Sequence, residues 1–166
     1  MAQAALTVDL DALVANWRAL ARRVASAECA AVVKADAYGV GLEPAARALA
    51  QAGCRTLFVA HASEATRLRE ALGDAGVLRV YALNAFAWGE AGARAVRDAG
   101  ARPVIGSPTQ WATWRAVGGG AAALHVDTGM NRLGTGADEA AAIAADPAAG
   151  SIDLVMTHFV SSEIAD

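Results

Sequence analysis

Apolar and polar positions alternate along this 166-residue chain in two distinct rhythms. Short, continuous apolar runs fall at 30–33, 56–60, 78–83, 103–105, 123–126 and 152–156, and their length predicts strands. Between them, apolar residues recur every three or four positions over 42–52, 63–72, 88–99, 109–117 and 138–145, which predicts helices. A further helix is predicted ahead of the first strand, over 11–24, with Leu13, Trp17, Leu20 and Val24 on one buried face. The punctuation agrees. Gly53, Gly73 or Gly76, and Gly100 each follow a predicted helix, where a left-handed residue is expected. Ser107-Pro108 has the form of an N-cap with proline at the first helical position.

Strands that are apolar throughout, without alternation, predict a parallel sheet covered on both faces. A strand-to-strand spacing of about 20–30 residues is that of βαβ units with right-handed crossovers. The fold class is therefore α/β, as a doubly wound open sheet or a (β/α) barrel. No G-x-G-x-x-G follows a strand, which removes support from the dinucleotide-binding open sheet. Lys34, His61, Asn84, Asp127 and His158 all fall at or just after predicted strand C-termini. Barrel active sites are built on that face, although open sheets bind ligands at the same edge. About six strands are found where a closed barrel has eight, so the pattern predicts an open sheet or an incomplete barrel.

Composition narrows the function classes. The chain is 55% hydrophobic but only 5% aromatic, an excess of small aliphatic residues that suits a helix-rich α/β protein. No apolar stretch approaches the roughly 20 residues of a membrane span, and no basic segment at the start suggests a secretory signal. A net charge of −3 leaves no basic stripe to neutralise phosphates. The expectation is a cytoplasmic protein without nucleic-acid or membrane partners. Arg22, Arg23, Arg67, Arg69, Arg94 and Arg97 are expected on solvated helix faces. Cys29 and Cys54 lack ligand partners at useful spacing; they are expected to be reduced, buried thiols, and no metal site is expected.

Three constellations carry candidate chemistry. Lys34 ends an apolar run in Val32-Val33-Lys34-Ala35-Asp36-Ala37-Tyr38-Gly39. An ammonium buried without a partner is costly, whereas an amine used in neutral or covalent form, as Schiff-base chemistry requires, belongs in such a place. The plain alternative is a strand end and Gly-rich turn into the helix at Leu42, with Lys34 snorkelling to water. The second constellation is His125-Val126-Asp127-Thr128-Gly129-Met130-Asn131-Arg132-Leu133-Gly134. It is either an ordinary βα loop with Arg132 paired to Asp127, or a guanidinium fork aimed at a carboxylate or cofactor oxygen. The third is Met156-Thr157-His158 at the last strand end. His61 precedes the helix-start residues Ser63 and Glu64, and Asn84 has the character of a turn residue.

Taken together and in this order, these motifs resemble the alanine racemase family over essentially the whole chain. Softer likenesses are Phe58-Val59-Ala60 with Glu64-Ala65 and Leu68-Arg69, and Ala122-Ala123-Leu124-His125. The resemblance implies the pyridoxal 5′-phosphate (PLP)-binding (β/α) barrel of that family, and covers less than half of the family's usual length. Residues 1–166 are then expected to form one partial barrel domain, about six of eight strands, without the family's β-rich C-terminal domain. By resemblance, Lys34 carries the cofactor as a Schiff base and acts as the base on the D-amino-acid face. Tyr38 contacts the cofactor phosphate, Arg132 hydrogen-bonds near its phenolic oxygen and takes the substrate carboxylate, and His158 lies against its ring. The implied reaction interconverts L- and D-alanine for peptidoglycan synthesis, in a homodimer. It uses two acid/base groups and a cofactor that delocalises the carbanion.

Three departures stand beside the likeness. Val40 occupies a position where the family often has histidine, and His125 one where it often has a lysine, frequently carbamylated. The family's second base, a tyrosine from the partner's C-terminal domain, and most of its phosphate cradle belong to the part not covered. This chain alone is therefore expected to racemise alanine poorly or not at all. The competing readings are a non-catalytic fragment, a PLP-binding carrier protein and a PLP-barrel decarboxylase.

Overall fold

A computed structural model describes residues 4–24, 26–73 and 78–161. In chain order the elements are α1 (Leu10–Arg23), β1 (Ala31–Val32), α2 (Lys34–Tyr38), α3 (Leu42–Ala52), β2 (Thr56–Val59), α4 (Ala62–Leu72), β3 (Arg79–Ala82), α5 (Gly89–Asp98), β4 (Arg102–Ile105), α6 (Pro108–Ala116), β5 (Ala122–His125), α7 (Ala137–Ala144), a 3₁₀ turn (Pro147–Ser151) and β6 (Ile152–Met156). Helix ends follow local chemistry. Asp9 caps α1 by accepting from the Ala12 N–H at 2.9 Å, and Ser107 caps α6 by accepting from Gln110 at 3.2 Å with Pro108 at the first position. Gly53, Gly73 and Gly100 take positive φ after α3, α4 and α5; Gly76 lies outside the described residues.

The six strands are all parallel and lie in sequence order, β1-β2-β3-β4-β5-β6. Right-handed crossovers that always step to the next strand keep every helix on one face, whereas a doubly wound sheet reverses direction. The sheet is therefore a half-barrel with helices outside. Leu57, Val59, Val80, Ala82, Ile105 and Leu124 point into the helix layer, against Leu42, Ala46, Leu68, Val96 and Trp114 among others. The alternate residues Tyr81, Val104 and Ala123 face inward with Phe58, Leu83, Leu154 and Met156. Only one face is covered by helices, correcting the expectation of two. The other is filled by the sheet's own side chains, which explains why both sets of alternate residues are apolar.

Two further expectations change. In α1, Leu13 and Trp17 pack on the core, but Leu20 and Val24 are exposed and no residue of the helix is fully buried. The helix sits beside β1, a strand two residues long whose Val32 is 47% exposed. Cys54 is fully buried, while Cys29 is only half-buried; burial pushes the Cys54 thiol up from its ordinary value.

The inner face carries a polar floor at the strand N-termini, not anticipated from the sequence. Thr56 donates to Glu28 at 2.6 Å and accepts from Arg79 at 3.0 Å, and Arg79 also pairs with Glu28. Tyr81 stacks on Phe58 at 5.1 Å, donates to Asp153 at 3.0 Å and accepts from Arg102, which pairs with Asp153. Every member of this network has a partner, as a half-enclosed polar cluster requires. No described helix is long and apolar enough to cross a membrane.

Candidate active site

Chemistry-bearing residues gather at the opposite end, the mouth formed by the strand C-termini. Val33 is buried and donates to Phe58 O at 2.8 Å, which ties the end of β1 to β2. Lys34 follows, half-buried. The chain then winds left-handed, with Ala35, Asp36, Ala37 and Tyr38 at φ of 52–56°. For residues with a Cβ this conformation costs about 1–2 kcal/mol each, so the surroundings must hold it. Ala37 is buried in the core. Asp36 accepts from the Leu42 N–H at 3.1 Å and pairs with Arg67 at 2.8 Å, and Arg67 also grips Glu43. The Leu42 N–H first, and Arg67 after it, hold the Asp36 carboxyl below its usual range. The Glu64 carboxylate accepts from the Ala35 N–H at 2.6 Å. The turn brings the Lys34 ammonium to 6.0 Å from the Tyr38 ring centre, and Tyr38 is 66% exposed.

The loop after β5 forms the second part. Asp127 does not pair with Arg132, as the plain reading of this loop would have it. Its carboxylate accepts from the Gly129 and Asn131 N–H groups at about 3.0 Å, and these bonds hold it below the usual carboxylate range. The loop base is clipped shut by Asp127 N–H to Thr135 O and Thr135 N–H to His125 O, both 2.9 Å. Gly134 permits that clip: it has φ of 104°, and a Cβ there would approach Asp127 N to 2.8 Å. Arg132 is exposed and has no ion pair among the described residues. It lines a cavity of about 230 Å³ with Leu83, Asn84, Gln110 and His125, among others. His125 is 7% exposed. Burial first, and then His158 and Arg132 nearby, push its imidazole below the ordinary value, against an opposing pull from Asp127.

His158, just past β6, is exposed, with Nδ1 2.7 Å from Phe159 O. Thr157 bonds Thr128 at 2.7 Å, joining this segment to the arginine loop. His61 is the N-cap residue of α4, as its neighbours suggested. Asn84 occupies a turn whose N–H donates to Ala60 O at 2.9 Å, and it also lines the cavity.

The structure thus brings Lys34 and Tyr38 together at β1, and Arg132, His125 and His158 together at β5 and β6. Both groups lie at one end of the sheet, but the 230 Å³ cavity does not include Lys34 or Tyr38. Two signals went unread in the sequence. Lys34 is the sole lysine among fourteen basic residues. Glu64, read as a helix-start residue and as part of the family likeness, reaches across to Ala35.

The family described as "Alanine racemase, N-terminal domain" matches residues 8–166. An alanine racemase of Methylobacterium nodulans is 53% identical over 97% of this chain and 44% of its own length. That of Acidiphilium cryptum is 47% identical over 97% of this chain and 45% of its own. Among solved structures, alanine racemase from Bartonella henselae with covalently bound pyridoxal phosphate superposes with a TM-score of 0.81. It is 35% identical and covers 94% of this chain and 46% of that one. The Streptomyces coelicolor enzyme gives a TM-score of 0.75 at 33% identity, over 92% of this chain and 43% of that one. The chain spans less than half the length of the relatives it matches.

Proposed function

This chain belongs to the alanine racemase family through its N-terminal domain, and from that premise we propose that it carries the cofactor-bearing half of a PLP-dependent alanine racemase. One observation supports this above the rest. Thirteen of the fourteen basic residues are arginines; the single lysine is half-buried at the mouth and has no ion pair among the described residues. A purely structural cation could equally be arginine, whereas condensation with an aldehyde needs an amine that can lose its proton.

The residues present fit such a cofactor. The Lys34 amine would hold it covalently, losing one water on condensation, and would move the proton on one face of the substrate Cα. The exposed Tyr38 phenol would meet its phosphate. The exposed Arg132 guanidinium would take the substrate carboxylate, and His158 would lie beside the ring. When bound, the cofactor supplies an electron sink that acidifies the Cα–H. Inversion needs a second acid/base group on the opposite face. By the family resemblance that group is a tyrosine of the family's C-terminal domain, in the part that residues 1–166 do not cover. We further propose residues 1–166 as one partial barrel domain, with the cytoplasm, a homodimer and D-alanine for peptidoglycan as the setting.

A second reading is a chain that binds PLP through Lys34 without racemising. One experiment separates the two. PLP should give the chain a new absorption band, and borohydride should fix it as a mass increase on the Lys34 peptide; Lys34→Ala should abolish both. Deuterium uptake at the Cα of alanine, with or without inversion, then marks the Lys34 half of a racemase, and a band without uptake marks a carrier. An undiminished adduct in Lys34→Ala would remove Lys34 from its role.

A further inference from the structure

We propose that Glu64 is a positioning residue for Lys34, through its hydrogen bond to the backbone of Ala35. Glu64 is the third residue of α4, where a glutamate commonly turns back to cap its own helix. One carboxylate oxygen does so, accepting from the Ala60 N–H at 2.7 Å and the His61 N–H at 3.3 Å. The other oxygen leaves its own helix. It accepts from the Ala35 N–H at 2.6 Å, twenty-nine residues away and at the end of the neighbouring strand. That is the shortest of the three bonds, and a helix cap has no need of it.

The Ala35 N–H opens the left-handed turn, a position whose donor has no partner within the turn itself. The Ala37 N–H, by comparison, reaches Val33 O at 2.9 Å. Glu64 therefore satisfies the donor of the first strained residue after Lys34, and its two oxygens tie the ends of β1 and β2 together. Arg67, three residues further along α4, grips Asp36 of the same turn, so successive turns of one helix hold successive residues. The two grips differ in weight. Arg67 and Asp36 are 45% and 52% exposed, and exposed ion pairs contribute little. Glu64 is half-buried and its bonds are charge-assisted. Because the backbone at Ala35 sets where the Lys34 side chain starts, losing this bond displaces the amine.

The inference rests on the reading that Lys34 carries the cofactor, and the test separates the two. The variants, in the 166-residue chain, are Glu64→Asp, Glu64→Gln, Ala35→Gly and each Glu64 change combined with Ala35→Gly. Aspartate keeps a charge at the start of α4 but is one methylene too short to reach β1, whereas glutamine keeps the length and the capping type but loses the charge. Two readouts need no cofactor: amide exchange at Ala35, and the rate at which acetic anhydride acylates the only lysine. The third is the PLP concentration giving half-maximal adduct. Both Glu64 variants should speed Ala35 exchange and weaken adduct formation about tenfold, the scale of one charge-assisted hydrogen bond. They should also change the Lys34 acylation rate. Adding Ala35→Gly, which adopts φ > 0 without strain, should restore most of the loss; a role confined to capping α4 would gain nothing from glycine at 35. Faster Ala35 exchange with unchanged acylation and unchanged adduct would overturn the proposal, as would failure of the glycine rescue. Absence of any adduct in the wild-type chain would refute the cofactor reading instead, leaving exchange and acylation to judge Glu64.

Discussion

Tyr81 of β3 donates its hydroxyl hydrogen bond to Asp153 of β6 at 3.0 Å, although β4 and β5 lie between the two strands. Strands three places apart in a flat sheet are about 14 Å apart, and side chains standing perpendicular to it cannot close that gap. The contact exists because the sheet curls, and it closes the floor beneath the mouth.

The floor should therefore report on the curl. Asp153→Ala leaves Arg102 without its ion-pair partner and Tyr81 without its acceptor, and should destabilise by about 1–3 kcal/mol. Tyr81→Phe leaves the Arg102–Asp153 pair intact and should cost about 0.5–1.5 kcal/mol. Urea midpoints at constant slope check both values.

The left-handed turn is stressed at positions that carry a Cβ. Ala35→Gly relieves that strain at an exposed site and should stabilise by about 1 kcal/mol. Ala37→Gly relieves the same strain but loses a methyl buried in the core, so its gain should be smaller. Thermal melts of the two variants give the comparison.

His125 links stability to pH. Its folded-state value lies below the ordinary 6.5, so the unfolded chain binds the proton more readily. Stability should then fall as pH drops through 6.5 and on to the folded-state value, and be flat above that window. His125→Gln should remove this slope in urea titrations across pH 5–8; a slope that persists would exclude His125 as its source.

Gly134 closes the arginine loop where a side chain cannot fit. Gly134→Ala should destabilise by about 1–3 kcal/mol through its positive φ and its clash with Asp127 N. It should also weaken binding of carboxylate ligands through Arg132, measured by calorimetry with the cofactor present.

Lys34→Arg keeps the charge but removes an amine that can deprotonate. It should fold with an unchanged melting temperature and give no borohydride-stable PLP adduct. The wild-type chain should form the adduct yet racemise alanine poorly or not at all, which chiral analysis of the product decides.

Much of the fold was legible along the chain. The helix over 42–52 and the strand over 152–156 fall where periodicity placed them, and the other spans differ by one or two residues at their ends. Ser107 and Pro108 act as their residue types suggested. The exposed end of α1 was not legible, because Leu20 and Val24 satisfy the helical period whether or not a neighbour covers them. The left-handed turn was equally hidden, since Ala-Asp-Ala-Tyr favours the right-handed form by itself. In the candidate site, the order of Lys34, Tyr38, Arg132 and His158 was readable. The independence of Arg132 from Asp127 was not, because backbone N–H groups, absent from any residue pattern, took the carboxylate.

The sequence by itself determined which segments become strands and helices, the α/β class, the family likeness and the presence of a single lysine. These depend on local periodicity, capping and residue identity, all of which are written in neighbouring positions. Only the tertiary structure decided that consecutive strands step always the same way and curl, that Glu64 holds the turn after Lys34, and that Tyr81 reaches Asp153. Those contacts join residues 29 and 72 positions apart, and they arise from packing energy shared across the sheet, which no local pattern encodes.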